Sequence, residues 1–164
     1  MRVSYTVGKA RKHPERWLAK PSGGGEPRGG KLPKGADVRR VLVLEDDNDL
    51  RSLLCDMLLL SGAESCVSAR SFEELGRQRE QVAGCVLALL DVNLGAGRPS
   101  GLDAYHWLRE NGFTGRTVFL TGHARSHPGL DEARRLADAR VMTKPVGAKD
   151  VMALVRELDV PSRP

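Results

Sequence analysis

Four short apolar runs in this chain each end in a residue suited to a phosphoryl group or a divalent cation, and their order constrains the fold more than any other feature. Val41-Leu42-Val43-Leu44 leads into Glu45-Asp46-Asp47, and Val86-Leu87-Ala88-Leu89-Leu90 into Asp91. Thr117-Val118-Phe119-Leu120 leads into Thr121, and Val141-Met142-Thr143 into Lys144-Pro145. Short, continuously apolar runs read as strands buried on both faces of a parallel sheet. The carboxyl ends of such strands share one edge, and that edge is where ligands bind.

The segments between the runs carry helical periodicity. Leu50, Leu53, Leu54, Met57 and Leu58 fall on one face of a first helix that stops at Ser61-Gly62. Cys66-Val67-Ser68-Ala69 reads as a further short strand, and Ser71 with Glu74 forms a capping-box pattern opening a second helix. After the Gly-rich stretch 95–101, Leu102, Tyr105 and Leu108 mark a third helix ending at Asn111-Gly112. Leu130, Ala133, Leu136 and Ala137 mark a fourth, and Val151, Leu154, Val155 and Leu158 a fifth, with Pro161 ending regular structure. Five strands alternating with helices predict an α/β fold, a doubly wound, flavodoxin-like (βα)5 arrangement with a five-stranded parallel sheet covered on both faces.

The chain has 164 residues and no apolar run near the ~20 residues a bilayer-spanning helix requires. Its start lacks the apolar centre of a secretory signal, so a soluble, cytoplasmic protein without membrane insertion is expected. Cys55, Cys66 and Cys85 show no close spacing of the kind that builds zinc or redox motifs, and read as small hydrophobes in a reducing compartment. Net charge is +5, unevenly spread. Residues 1–40 hold eleven Lys or Arg against three acids, and residues 41–164 fifteen against eighteen. Residues 1–38 are therefore expected to be a basic, Gly/Pro-rich, disordered extension, with a weak helix around Trp17 and Leu18. The globular domain is expected at 39–160, followed by a tail at 161–164.

Phosphoryl transfer onto a carboxylate brings anions together, so the acceptor needs neutralisation and positioning more than an acid or base. Glu45, Asp46 and Asp91 could hold a hard cation, Lys144 supplies a point charge and Thr121 a hydroxyl. Singly, each has a plainer reading. The acidic triplet could cap the first helix, Asp91 could end a strand in a turn, and Lys144-Pro145 could simply terminate one. Their joint order on successive strand ends is what favours chemistry.

Residues 39–158 resemble the receiver domain of two-component response regulators. The resemblance rests on Val41-Leu42-Val43-Leu44-Glu45-Asp46-Asp47, Leu90-Asp91-Val92-Asn93-Leu94, Phe119-Leu120-Thr121-Gly122-His123-Ala124 and Thr143-Lys144-Pro145. It implies that Asp91 accepts a phosphoryl group from a sensor histidine kinase or a histidine phosphotransfer protein. It further implies that Glu45, Asp46 and Asp91, with the backbone carbonyl of Asn93, bind Mg2+, and that Thr121 and Lys144 hold phosphoryl oxygens. The side chains of Asn93 and His123 would tune the lifetime of the acyl phosphate, and the Lys144–Pro145 bond would be cis. One position departs from the pattern. Val141 stands where the family usually carries Phe or Tyr, and a β-branched side chain cannot make the aromatic's inward swing.

A non-enzymatic, stand-alone receiver is thus expected, signalling by phosphorylation-dependent docking on an unknown downstream protein or by phosphorelay. A haloacid-dehalogenase-like phosphohydrolase would place its nucleophile in an Asp-x-Asp pair on the first strand, and Glu45-Asp46-Asp47 has the wrong spacing. Two alternatives remain open. One is a receiver-like docking module that is never phosphorylated; the other is a nucleic-acid tether formed by Lys9, Arg11, Lys12, Arg16 and Lys20 around Trp17.

Overall fold

The computed structural model describes residues 39–122 and 130–158, all within the compact unit Gly35–Pro164. The remaining residues, including the basic extension and its weak helix, lie outside the described residues. In chain order the elements are β1 (Arg40–Leu44), α1 (Asn48–Leu60), β2 (Ser65–Ala69), α2 (Phe72–Arg77), α3 (Arg79–Val82) and β3 (Leu87–Asp91). There follow α4 (Gly101–Glu110), β4 (Arg116–Thr121), α5 (Leu130–Arg135), β5 (Ala139–Thr143) and α6 (Ala148–Glu157). All four strand pairings are parallel, in the order β2-β1-β3-β4-β5. This is the expected doubly wound, five-stranded flavodoxin-like fold. Among the described residues no helix is long and apolar enough to cross a membrane.

Alternation along the strands divides the core in two. Val41, Val43, Leu87, Leu89, Val118 and Leu120 face α1 and α6, meeting Leu54, Leu58, Val151 and Val155. Leu42, Leu44, Ala88, Leu90 and Phe119 face the opposite way, toward Leu75, Leu102, Leu108 and Ala133. Every residue of β3 is buried, because it lies at the centre of the sheet with helices on both sides.

Several local expectations change. The second helical segment breaks at Gln78 into α2 and α3. Ser71 caps α2 by accepting from Glu74 N at 3.3 Å, but the Glu74 carboxylate accepts from Arg70 N at 3.0 Å, so the reciprocal box is not closed. Val86, expected inside the third strand, is exposed and precedes it, whereas Asp91 is part of the strand. Cys55 and Cys66, read as unlinked hydrophobes, form a disulfide. Helical packing of α1 against the sheet brings together two positions separated by 11 in sequence, a proximity no local spacing reveals.

Two glycines are required by geometry. Gly62 follows α1 with φ +109°, a backbone region costly for other residues. Gly101 opens α4 directly against the end of β3. A Cβ there would collide with the Asp91 carbonyl oxygen and come within 2.8 Å of its carbon. In an open helix Ala is favoured over Gly, but here the collision dominates. Gly101→Ala is expected to lower stability by about 1–3 kcal/mol, measured by urea unfolding.

Candidate functional site

The carboxyl ends of β1 and β3 diverge where the chain order reverses, since β1 lies between β2 and β3. An open cavity of about 560 Å³ occupies this edge, and its lining includes Glu45, Asp46, Asp91, Asn93, Thr121 and Lys144. These six residues come from loops or strand ends after β1, β3, β4 and β5.

The acidic triplet divides its work. Asp47 is the N-cap of α1, its Oδ1 accepting from Leu50 N at 2.9 Å. Glu45 and Asp46 remain for the cavity, Glu45 buried and Asp46 exposed. The plainer capping reading thus holds for one acid and not the other two. Glu45 is fixed from both sides of its backbone. Its N–H donates to Ala69 O of β2 at 3.1 Å, and its carbonyl accepts from Arg51 Nη1 of α1 at 2.8 Å.

Asp91 is only 4% exposed. Its Oδ1 accepts from Asn93 N at 3.2 Å and its Oδ2 meets Lys144 Nζ at 2.9 Å. Each carboxylate oxygen accepts about two hydrogen bonds, so acceptor capacity remains on both. Lys144 Nζ also reaches Glu45 Oε2 at 2.6 Å. Burial pushes the Glu45 carboxyl above the ordinary range; its bond to Lys144 opposes this, and the nearby Asp91 charge adds to it. Burial works to lower the Lys144 ammonium, but its bonds to Glu45 and Asp91 outweigh burial and raise it.

Carboxylate oxygens of Glu45, Asp46 and Asp91 all lie within 4.8 Å of one another. Among the described residues these three carboxylates face one ammonium, and their hard oxygens suit a divalent cation. Thr121 is buried at the end of β4, and its carbonyl accepts from Lys144 N at 2.8 Å, which sets the start of the β5 loop beside the cavity. The Lys144–Pro145 peptide is cis. Asn93 is exposed, its Oδ1 accepting from Gly95 N at 3.3 Å, so this side chain shapes the loop after β3. His123 lies outside the described residues.

Sequence reasoning missed Arg51, Gly101 and the Ser100–Asp103 capping box of α4. The last was legible as a Ser-x-x-Asp pattern; the other two act through contacts distant along the chain.

No family model matches the chain, and no curated protein does. Solved structures do. A response regulator receiver domain protein from Clostridium thermocellum is 22% identical, with a TM-score of 0.60, covering 73% of this chain and 92% of its own. A CheY-like receiver domain protein from Methanospirillum hungatei is 24% identical, with a TM-score of 0.58 and coverage of 74% and 94%. The receiver domain of NtrX from Brucella abortus is 23% identical, with a TM-score of 0.58 and coverage of 72% and 96%. The chain therefore has the receiver-domain fold.

Lys144→Met is expected to cost about 3 kcal/mol at neutral pH, because two buried carboxylates lose their counter-charge; adding Glu45→Gln should recover part of it. Urea unfolding of the two variants checks both. A raised Glu45 value means the folded state holds that proton more tightly than the unfolded state. Its contribution is fully present below about pH 4.5 and is lost as pH rises through the higher folded-state value. In EDTA, Glu45→Gln should therefore flatten the fall in stability above pH 4.5, measured by unfolding at successive pH values.

Proposed function

We propose that the chain is a response-regulator receiver in which Asp91 accepts a phosphoryl group from the phosphohistidine of a sensor histidine kinase or a histidine phosphotransfer protein. One observation carries this reading: Asp91 lies buried at the carboxyl end of the central strand with Lys144 Nζ at 2.9 Å, beside two further carboxylates and an open cavity. In this reading residues 39–160 form the receiver, preceded by the basic extension 1–38, and the setting is cytoplasmic.

A carboxylate oxygen of Asp91 attacks phosphorus as the bond to the donor imidazole nitrogen breaks. The imidazole leaves with the bond's electron pair and takes a proton, and the product is an aspartyl phosphate. Such transfers have a loose transition state, so positioning and charge neutralisation are what the protein supplies. Lys144 already stands against Asp91 and pairs with a phosphoryl oxygen after transfer. The Thr121 hydroxyl donates to a second oxygen. Glu45, Asp46, Asp91 and the Asn93 carbonyl would hold Mg2+, which when bound neutralises charge shared by the acceptor and the incoming phosphoryl group. The Asn93 and His123 side chains tune the product's lifetime by governing the approach of water.

Phosphorylation adds charge and strong acceptors at one point. Drawing on Lys144 and Thr121, it biases the surface of α5, β5 and α6 between two states. Val141 sits half-buried in β5 opposite Phe119. Output then proceeds without the usual aromatic rotation, through docking on a downstream protein or through a phosphorelay.

Incubation with acetyl phosphate and magnesium should add one phosphoryl group by intact mass. The gain should require magnesium and vanish in Asp91→Asn. Its absence under conditions that label an established receiver would favour a docking module that is never phosphorylated.

A further inference from the structure

Cys55 lies in α1 and Cys66 in β2, with Cα atoms 5.8 Å apart, inside the range a disulfide spans. Both are partly exposed at the margin of the core layer that holds Val41 and Leu54, so a small reagent can reach them. Cys85 differs. It is buried, and burial pushes its thiol up to about 11, leaving it without thiolate character at neutral pH. The chain thus carries one accessible facing pair and one inert thiol.

The pair is placed where a crosslink reaches the cavity. Arg51, one turn before Cys55 on the same face of α1, donates to the Glu45 carbonyl at 2.8 Å. Ala69, three residues after Cys66 in β2, accepts from Glu45 N at 3.1 Å. Glu45 is therefore gripped by α1 through its carbonyl and by β2 through its N–H. β2 is an edge strand bonded only to β1, so its position depends on what packs against it. A sulfur–sulfur bond closes the circuit from α1 through Glu45 to β2.

We propose that Cys55 and Cys66 form a reversible thiol–disulfide pair, a redox modification site that stiffens the backbone carrying Glu45. One thiolate attacks a low-molecular-weight disulfide, forming a mixed disulfide and releasing one thiol. The second thiolate attacks the protein sulfur of that mixed disulfide and releases the other thiol. Two protein thiols are oxidised and one external disulfide is reduced to two thiols, so ambient thiol poise sets the state. Its bearing on phosphoryl acceptance, unlike the bond itself, rests on the function proposed above.

The full chain, equilibrated with oxidised or reduced glutathione, is denatured, alkylated and weighed intact. Oxidised protein should show one alkylatable thiol and no bound glutathione, against three thiols when reduced, with peptide mapping joining Cys55 to Cys66. Three thiols after oxidation, or glutathione retained on either cysteine, would overturn the pairing. Oxidation should raise the melting midpoint on the order of 10 °C, and should leave Cys66→Ser without such a rise. Hydrogen exchange at the Glu45 amide should slow on the order of tenfold on oxidation; unchanged exchange with the bond formed would overturn the link to Glu45. None of these readouts involves phosphorylation, so failure of the acetyl-phosphate labelling would count against the proposed function and leave the thiol pair standing.

Discussion

Glu45 and Asp91 are buried at the ends of adjacent strands, and one ammonium, Lys144, lies between them at 2.6 and 2.9 Å. Two carboxylates this close in a low-dielectric site repel strongly, and burial raises the cost of ionising either. Lys144 makes the arrangement tenable. Its backbone is held there by the bond from Lys144 N to Thr121 O and by the pairing of β4 with β5, which sets Thr121 against Thr143. Asp46, at the exposed side of the same cluster, leaves the negative charge in excess. The cluster can thus accommodate further positive charge of the kind a divalent cation carries.

The scaffold supplies this placement through ordinary forces. Continuous apolar burial holds β1, β3 and β4 together, with Leu42, Leu44, Leu89 and Phe119 wholly removed from water. Directional bonds then set the loops. Asp47 starts α1, Ser100 and Asp103 start α4, and Gly101 lets that helix approach the Asp91 backbone more closely than any other residue would allow. Away from the site, the Tyr105 hydroxyl donates to Asp138 at 2.6 Å, and Arg109 meets the same carboxylate at 2.8 Å, joining α4 to the loop before β5. The core carries cohesion, and a few polar contacts carry position.

The fold class, the strands and the grouping of Glu45, Asp46, Asp91, Thr121 and Lys144 at one edge were legible in the chain. Periodicity reports which side chains leave water, and a parallel sheet puts the ends of its strands together. Helix boundaries were less legible. Gln78 breaks the second helical segment two residues after Gly76, a weak local signal, and Val86 extends an apolar run beyond the buried strand.

What the sequence determined by itself was therefore a pattern: apolar runs long enough to be strands, each followed by a residue of fixed chemistry. Only the tertiary structure decided how the acids divide, with Asp47 turned to a helix cap while Glu45 enters the core and Asp46 stays exposed. It alone decided that Arg51 and Ala69 grip Glu45, that Gly101 abuts Asp91, and that Cys55 meets Cys66. The reason is physical. Burial preference is a property of each residue and its near neighbours, whereas distances across the sheet arise only after helices pack and strands pair, from contacts that no local spacing encodes.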